Sequence, residues 1–101
     1  MHDKVLALLG LAQRARFIAS GNFQVEEAVA KRKAKLVLIA EDAAANTRDG
    51  LEKITYHYGI PVIIYGTKET LGHSIGKEDR SCVAVLDEGF AAKIRDLTVT
   101  Q

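Results

Sequence analysis

A chain of 101 residues, 48% apolar and 27% charged, can close one hydrophobic core and is too short for two ordinary domains, so one domain over residues 1–101 is expected. Fourteen Lys and Arg against thirteen Asp and Glu leave a net charge of +1, which excludes capture of a polyanion by a field over the whole surface and leaves that task to local patches. No apolar run approaches the ~18 residues of a membrane span, no basic-apolar-small order marks a secretory signal, and a lone cysteine, Cys82, excludes an internal disulfide, so a soluble cytoplasmic protein is expected.

The first helix is expected over residues 3–15, where Val5, Leu8, Leu9 and Ala12 fall on one face. Arg14 and Arg16 follow it. Phe17-Ile18-Ala19 reads as a short strand, and the next helix, 22–33, carries Val25, Ala28 and Val29 inward, with Ser20 or Asn22 as its cap. That helix exits through Lys31, Arg32, Lys33 and Lys35 into the apolar run Leu36 to Ala40, a buried strand. A helix over 46–58 aligns Leu51, Ile54 and Tyr58, with Asn46 in the cap position. Pro61 to Tyr65 is the third strand. Thr67 caps a short helix ending near Gly72 to Gly76, Cys82 to Leu86 is the last strand with Cys82 as a small buried side chain, and Phe90, Ile94 and Leu97 form the inner stripe of a final helix. Helices alternating with apolar strands that lack polar alternation predict an α/β fold, a three-layer α/β/α sandwich around a small mixed four-stranded sheet.

The stretch Lys33-Ala34-Lys35-Leu36-Val37-Leu38-Ile39-Ala40-Glu41-Asp42-Ala43, followed some thirty residues on by Leu71-Gly72-His73-Ser74-Ile75-Gly76-Lys77, resembles the L7Ae/L30e family of small ribosomal and kink-turn RNA-binding proteins. The pieces Gly10-Leu11-Ala12-x-Arg14-Ala15-Arg16, Asp42-Ala43-x-x-Asn46-Thr47, Gly76-Lys77-Glu78 and Gly89-Phe90-Ala91 place it nearest a bacterial branch of that family, over roughly residues 4 to 95. The resemblance implies the same sandwich and an RNA-facing loop at the start of the second helix. There the family carries Gly-x-Asn-Glu-x-x-Lys, whose Asn and Glu hydrogen-bond guanine edges of sheared G·A pairs. Without gaps, those positions are Gly21, Phe23, Gln24 and Glu27 here, so only the glycine is kept. Gln24 still offers a carbonyl oxygen, Phe23 offers a stacking face in place of a polar contact, and Glu27 reverses the sign of the lysine. Shifting by one residue puts Asn22 in the asparagine role and requires a compensating gap.

Two further surfaces are candidates. The loop Gly76-Lys77-Glu78-Asp79-Arg80-Ser81 lies beside the first loop in the family, and Lys77 and Arg80 suit phosphates or stacked bases, although Glu78 and Asp79 equally suit a solvated loop in which an acid pairs with Arg80. Arg14, Lys31, Lys33 and Lys35 suit phosphates as well, and are also what a helix C-terminus favours through its dipole. Arg14 and Arg16 are expected to edge the same RNA-facing end as Gly21.

Catalysis has little support. His2, His57 and His73 are scattered without metal-ligand spacing, so no metal or cofactor is expected. Gly72-x-x-x-Gly76-Lys77 falls one residue short of a phosphate loop and has Glu78 in place of the magnesium-binding Ser or Thr. Glu41 and Asp42 stand at a strand end, where α/β sites form, but a capping role suits Asp42 better than catalysis. The expected function is a monomeric, non-catalytic, ribosome-associated RNA-binding protein. Its partner would be structured RNA, either ribosomal RNA or another kink-turn-like RNA, with ribosomal proteins as possible neighbours. Gly21, Asn22, Phe23, Gln24, Arg14, Lys31, Lys33, Lys35, Lys77 and Arg80 would be its contacts. The alternative is a protein-interaction module on a ribonucleoprotein or transcription–translation complex, anchored by Phe23 beside Glu27.

Overall fold

The computed structural model describes residues 3–99. In chain order the elements are α1 (Lys4–Arg14), β1 (Ile18–Ser20), α2 (Asn22–Ala30), β2 (Leu36–Ile39), α3 (Ala45–Tyr58), β3 (Val62–Ile64), α4 (Lys68–Ser74), β4 (Cys82–Val85) and α5 (Glu88–Val99). The four strands form one sheet in the order β1-β4-β2-β3. Strand β4 is antiparallel to both β1 and β2, and β2 is parallel to β3 across the α3 crossover, so the sheet is mixed.

Successive side chains of a strand point to opposite faces, and here both faces are buried. Leu36, Leu38, Val83 and Val85 meet Val5, Leu9, Leu71 and Ile94 of α1, α4 and α5 on one face. Val37, Ile39, Cys82 and Ala84 meet Val25, Val29 and Leu51 of α2 and α3 on the other. That explains the unbroken apolar runs: neither face of β2 or β4 touches water. The expected sandwich is the observed one.

Local starts and stops account for the differences in boundaries. Helix α2 is capped by neither Ser20 nor Asn22. Gly21 occupies the N-cap with φ 88° and ψ 155° and supplies no side-chain bond. The same helix ends at Ala30, three residues short of the expected 33, because the chain turns at Arg32 with φ 61°. Helix α3 begins one turn-position early: Ala44 is its N-cap, again without a side-chain bond, and Asn46 lies inside the first turn. Thr67 does cap α4, its hydroxyl accepting from Thr70 N at 3.1 Å while Thr70 Oγ1 accepts from Thr67 N at 2.9 Å. The short strand runs 18–20, with Phe17 left outside.

Candidate nucleic-acid interface

The register of the sheet decides which loops are neighbours. Ser20 pairs with Val83, Ile39 pairs with Cys82, and Ile39 is also opposite Ile64, so the ends of β1, β2 and β3 and the start of β4 share one edge of the sandwich. The starts of α2, α3 and α4 collect there. Backbone bonds lock these loops together: Gly21 N to Cys82 O at 3.1 Å, Ala40 N to Ser81 O at 2.8 Å, Glu41 N to Gly66 O at 2.8 Å and Arg80 N to Lys68 O at 3.0 Å.

Side chains tighten the same cluster. Arg80 donates from Nε to Ser20 Oγ at 3.3 Å and from Nη1 to the carbonyls of Glu78 at 3.3 Å and Asp79 at 2.9 Å. The loop acids therefore hold Arg80 through their backbones rather than through their carboxylates. Asp42 does cap, and across the chain: its Oδ1 accepts from Lys68 N, the first residue of α4, at 2.8 Å. The amide of Asn22 is turned inward, with Nδ2 donating to Thr47 Oγ1 and Oδ1 accepting from Cys82 Sγ, each at 3.4 Å. Burial pushes the Cys82 thiol up to about 12, with Glu26 adding to the shift, so at neutral pH it is a packed thiol and not a nucleophile. Because Gly21 brings no capping side chain, the N–H groups of Asn22, Phe23 and Gln24 in the first turn of α2 remain available to an external acceptor.

The sequence-expected contacts do not form one surface. Gly21, Asn22 and Arg80 meet at this edge. Lys77 lies at the far end of α4, its N–H bonded to Gly72 O. Arg14 and Arg16 precede β1, and Lys31, Lys33 and Lys35 lie between α2 and β2, where Lys35 N bonds Val85 O. All five are at the opposite edge of the sheet, so the expectation that Arg14 and Arg16 flank Gly21 is corrected by the register. Phe23 is 78% exposed and faces sideways, lining with Gln24, Lys31 and Lys33 a shallow groove of about 320 Å³ along α2. Lys68 was not anticipated. It shares the Gly21 edge only because α4 starts there, and the one cue in the sequence was its position directly after the Thr67 cap.

The Ribosomal protein L7Ae/L30e/S12e/Gadd45 family model matches residues 3–95. The RNA-binding protein YlxQ of Bacillus subtilis is 44% identical over 90 residues, covering 89% of this chain and 90% of that protein. The chain belongs to the L7Ae/L30e/S12e/Gadd45 family. A solved structure of a Bacillus halodurans protein of unknown function superposes with a TM-score of 0.91 at 40% identity, covering 95% of this chain and 97% of that one. The Giardia lamblia 15.5kD RNA binding protein shares the fold with a TM-score of 0.79 at 18% identity, covering 99% and 89% of the two chains.

Within the L7Ae pattern, the departures at positions 23, 24 and 27 now have places. Glu27 is engaged by Lys31 at 3.3 Å one turn along α2. Position 23, where the pattern has a base-reading asparagine, carries an aromatic ring turned to the groove. His2 lies outside the described residues. Among those described, no cluster of His, Cys, Asp and Glu has the makings of a metal site, and no helix is long and apolar enough to cross a membrane.

Proposed function

We propose that this protein binds structured RNA, gripping a kinked or looped element at the edge formed by Gly21, Asn22, Lys68 and Arg80, and that it does so as a ribosome-associated, non-catalytic monomer. The observation that carries the reading is the Arg80–Ser20 bond, which places a guanidinium beside the uncapped N-terminus of α2. Free amides and the positive end of a helix dipole suit phosphate oxygens, and the N–H groups of Arg80 Nη2, which have no acceptor among the described residues, add a planar donor pair. Family membership and the RNA-binding name of the Bacillus subtilis relative support the same partner class.

The contact chemistry differs from the family pattern. With Asn22 turned inward and no asparagine at position 23, recognition rests on backbone amides, Arg80 and shape rather than on an Asn–guanine pair. Gel-shift titration at two salt concentrations against a kink-turn RNA, ribosomal RNA fragments and an unstructured control tests this. Selective binding whose affinity falls with salt, and falls at least about tenfold in Arg80→Ala, is the expected result. Binding no tighter than the control would leave the protein-interaction module, favoured by the exposed Phe23, as the better account.

A further inference from the structure

We propose that the groove along α2 is a track for single-stranded RNA, in which Phe23 stacks on an unpaired base and Lys31 and Lys33 hold the phosphates that follow. The proposal rests on RNA being the partner at the Gly21 edge and gives position 23, a polar base-reading position in the family motif, a stacking role toward an unpaired base instead.

Phe23 stands in the first turn of α2, one residue past Asn22, so a strand leaving the Gly21 edge meets it first. Its ring is 78% exposed, and the groove it walls has Ala19 and Leu86 as an apolar floor. An aromatic face above an apolar floor accepts any base, since every base has a π-face. From Phe23 to Lys31 the helix rises about 12 Å, the length of about three stacked nucleotides at ~3.4 Å each. Lys31 and Lys33 line its far end.

Charge selects RNA over a peptide as the occupant. Glu27 is the acid lining the groove, and its 3.3 Å pairing with Lys31 Nζ is an exposed i,i+4 pair, weak enough for a phosphate to displace. Among the described residues no acid pairs with Lys33 or Lys35, so their charges are free for phosphates. The adjacent edge strand β1 has three residues, too short to template an added peptide strand. Two arginines at this edge, Arg16 with φ 67° and Arg32 with φ 61°, also occupy left-handed backbone positions where glycine is the easier residue. Arg32 is held over the Tyr58 ring at 5.3 Å, whereas Arg16 has no side-chain partner among the described residues and adds an unpaired cation.

Fluorescence anisotropy with three probes tests the track: a blunt kink-turn RNA, the same RNA with a single-stranded extension, and the extension oligonucleotide alone. The extension should tighten binding about tenfold, the gain for one stacked base. Phe23→Ala should remove that gain, so that this variant binds the extended and the blunt RNA with the same affinity. Phe23→Leu should lose most of it, and Lys31→Gln with Lys33→Gln should flatten its salt dependence. Circular dichroism confirms that these surface variants fold. Binding of the extension alone in a Phe23-dependent way, with no binding of the blunt RNA, would overturn the Gly21-edge reading and keep the track. No gain from the extension, a gain untouched by Phe23→Ala, or a gain retained by Phe23→Leu would overturn the track, the last showing that stacking on an aromatic face is not its source.

Discussion

Tyr65 and Cys82 show how single side chains tie the chain's stability to pH. The Tyr65 hydroxyl donates to Asp3 Oδ2 at 2.7 Å, and burial, this bond and the charges of Asp3 and Glu41 raise its pKa from 10.0 to about 12. The Cys82 thiol is raised from 9.0 to about 12, chiefly by burial. Both groups hold their proton longer folded than unfolded. Their contribution is complete below pH 9 and is lost as pH rises toward 12, because the unfolded chain ionises first. The denaturation midpoint should therefore fall steadily above pH 9, and Cys82→Ala should delay the onset of that fall toward pH 10. A midpoint flat across this range would show that neither group is held neutral by the fold. In the same state Cys82 should resist thiol reagents until the chain unfolds, which time-resolved labelling measures.

Among the elements, α4 is the one whose local design most directly serves the candidate interface. Its reciprocal Thr67–Thr70 cap fixes where the helix starts, and Asp42, from the loop after the neighbouring strand β2, holds its first amide. Thr67→Ala should lower stability by about 1 kcal/mol in chemical denaturation, the usual loss for an N-cap side chain. Gly72, inside the same helix, sets how closely the loop that carries Arg80 can pack. A Cβ there would overlap the carbonyl oxygen of Glu78 and stand 2.6 Å from its carbon and 3.2 Å from Arg80 N, all backbone atoms that cannot swing aside. Gly72→Ala should destabilise the fold by about 1–3 kcal/mol and displace the loop that carries Arg80, so RNA affinity should fall even in the folded fraction. Unchanged affinity in that variant would detach the 76–81 loop from RNA recognition. The Leu71-to-Lys77 stretch was visible as a landmark in the sequence, but its reason was not. Gly72 is needed for the close approach of a loop six residues on, and no local pattern announces that distance.

At the scale of the whole molecule, stability rests on the two apolar layers that sandwich the sheet. Leu38, fully buried where β2 meets α1, α4 and α5, is flanked by the paired strands β3 and β4. Leu38→Ala should cost about 2–5 kcal/mol, read as a drop in the urea midpoint without a large change in slope. A loss under about 1 kcal/mol would mean that the layer collapses around the gap.

The sequence by itself determined the element order, the strands and the sandwich. Unbroken apolar runs between amphipathic helices have few other ways to be buried, and the chain order of charges identified every basic cluster. It also marked Gly21, which no other residue replaces easily at φ 88°. Only the tertiary structure decided which clusters meet. Arg14 and Lys31 lie nearer to Gly21 along the chain than Arg80 does, yet the antiparallel pairing of β1 with β4 brings Arg80 to Ser20 and sends the other two to the opposite edge. Strand direction and register are set by how side chains from distant segments pack on the two faces of the sheet, and that information is not local to any loop.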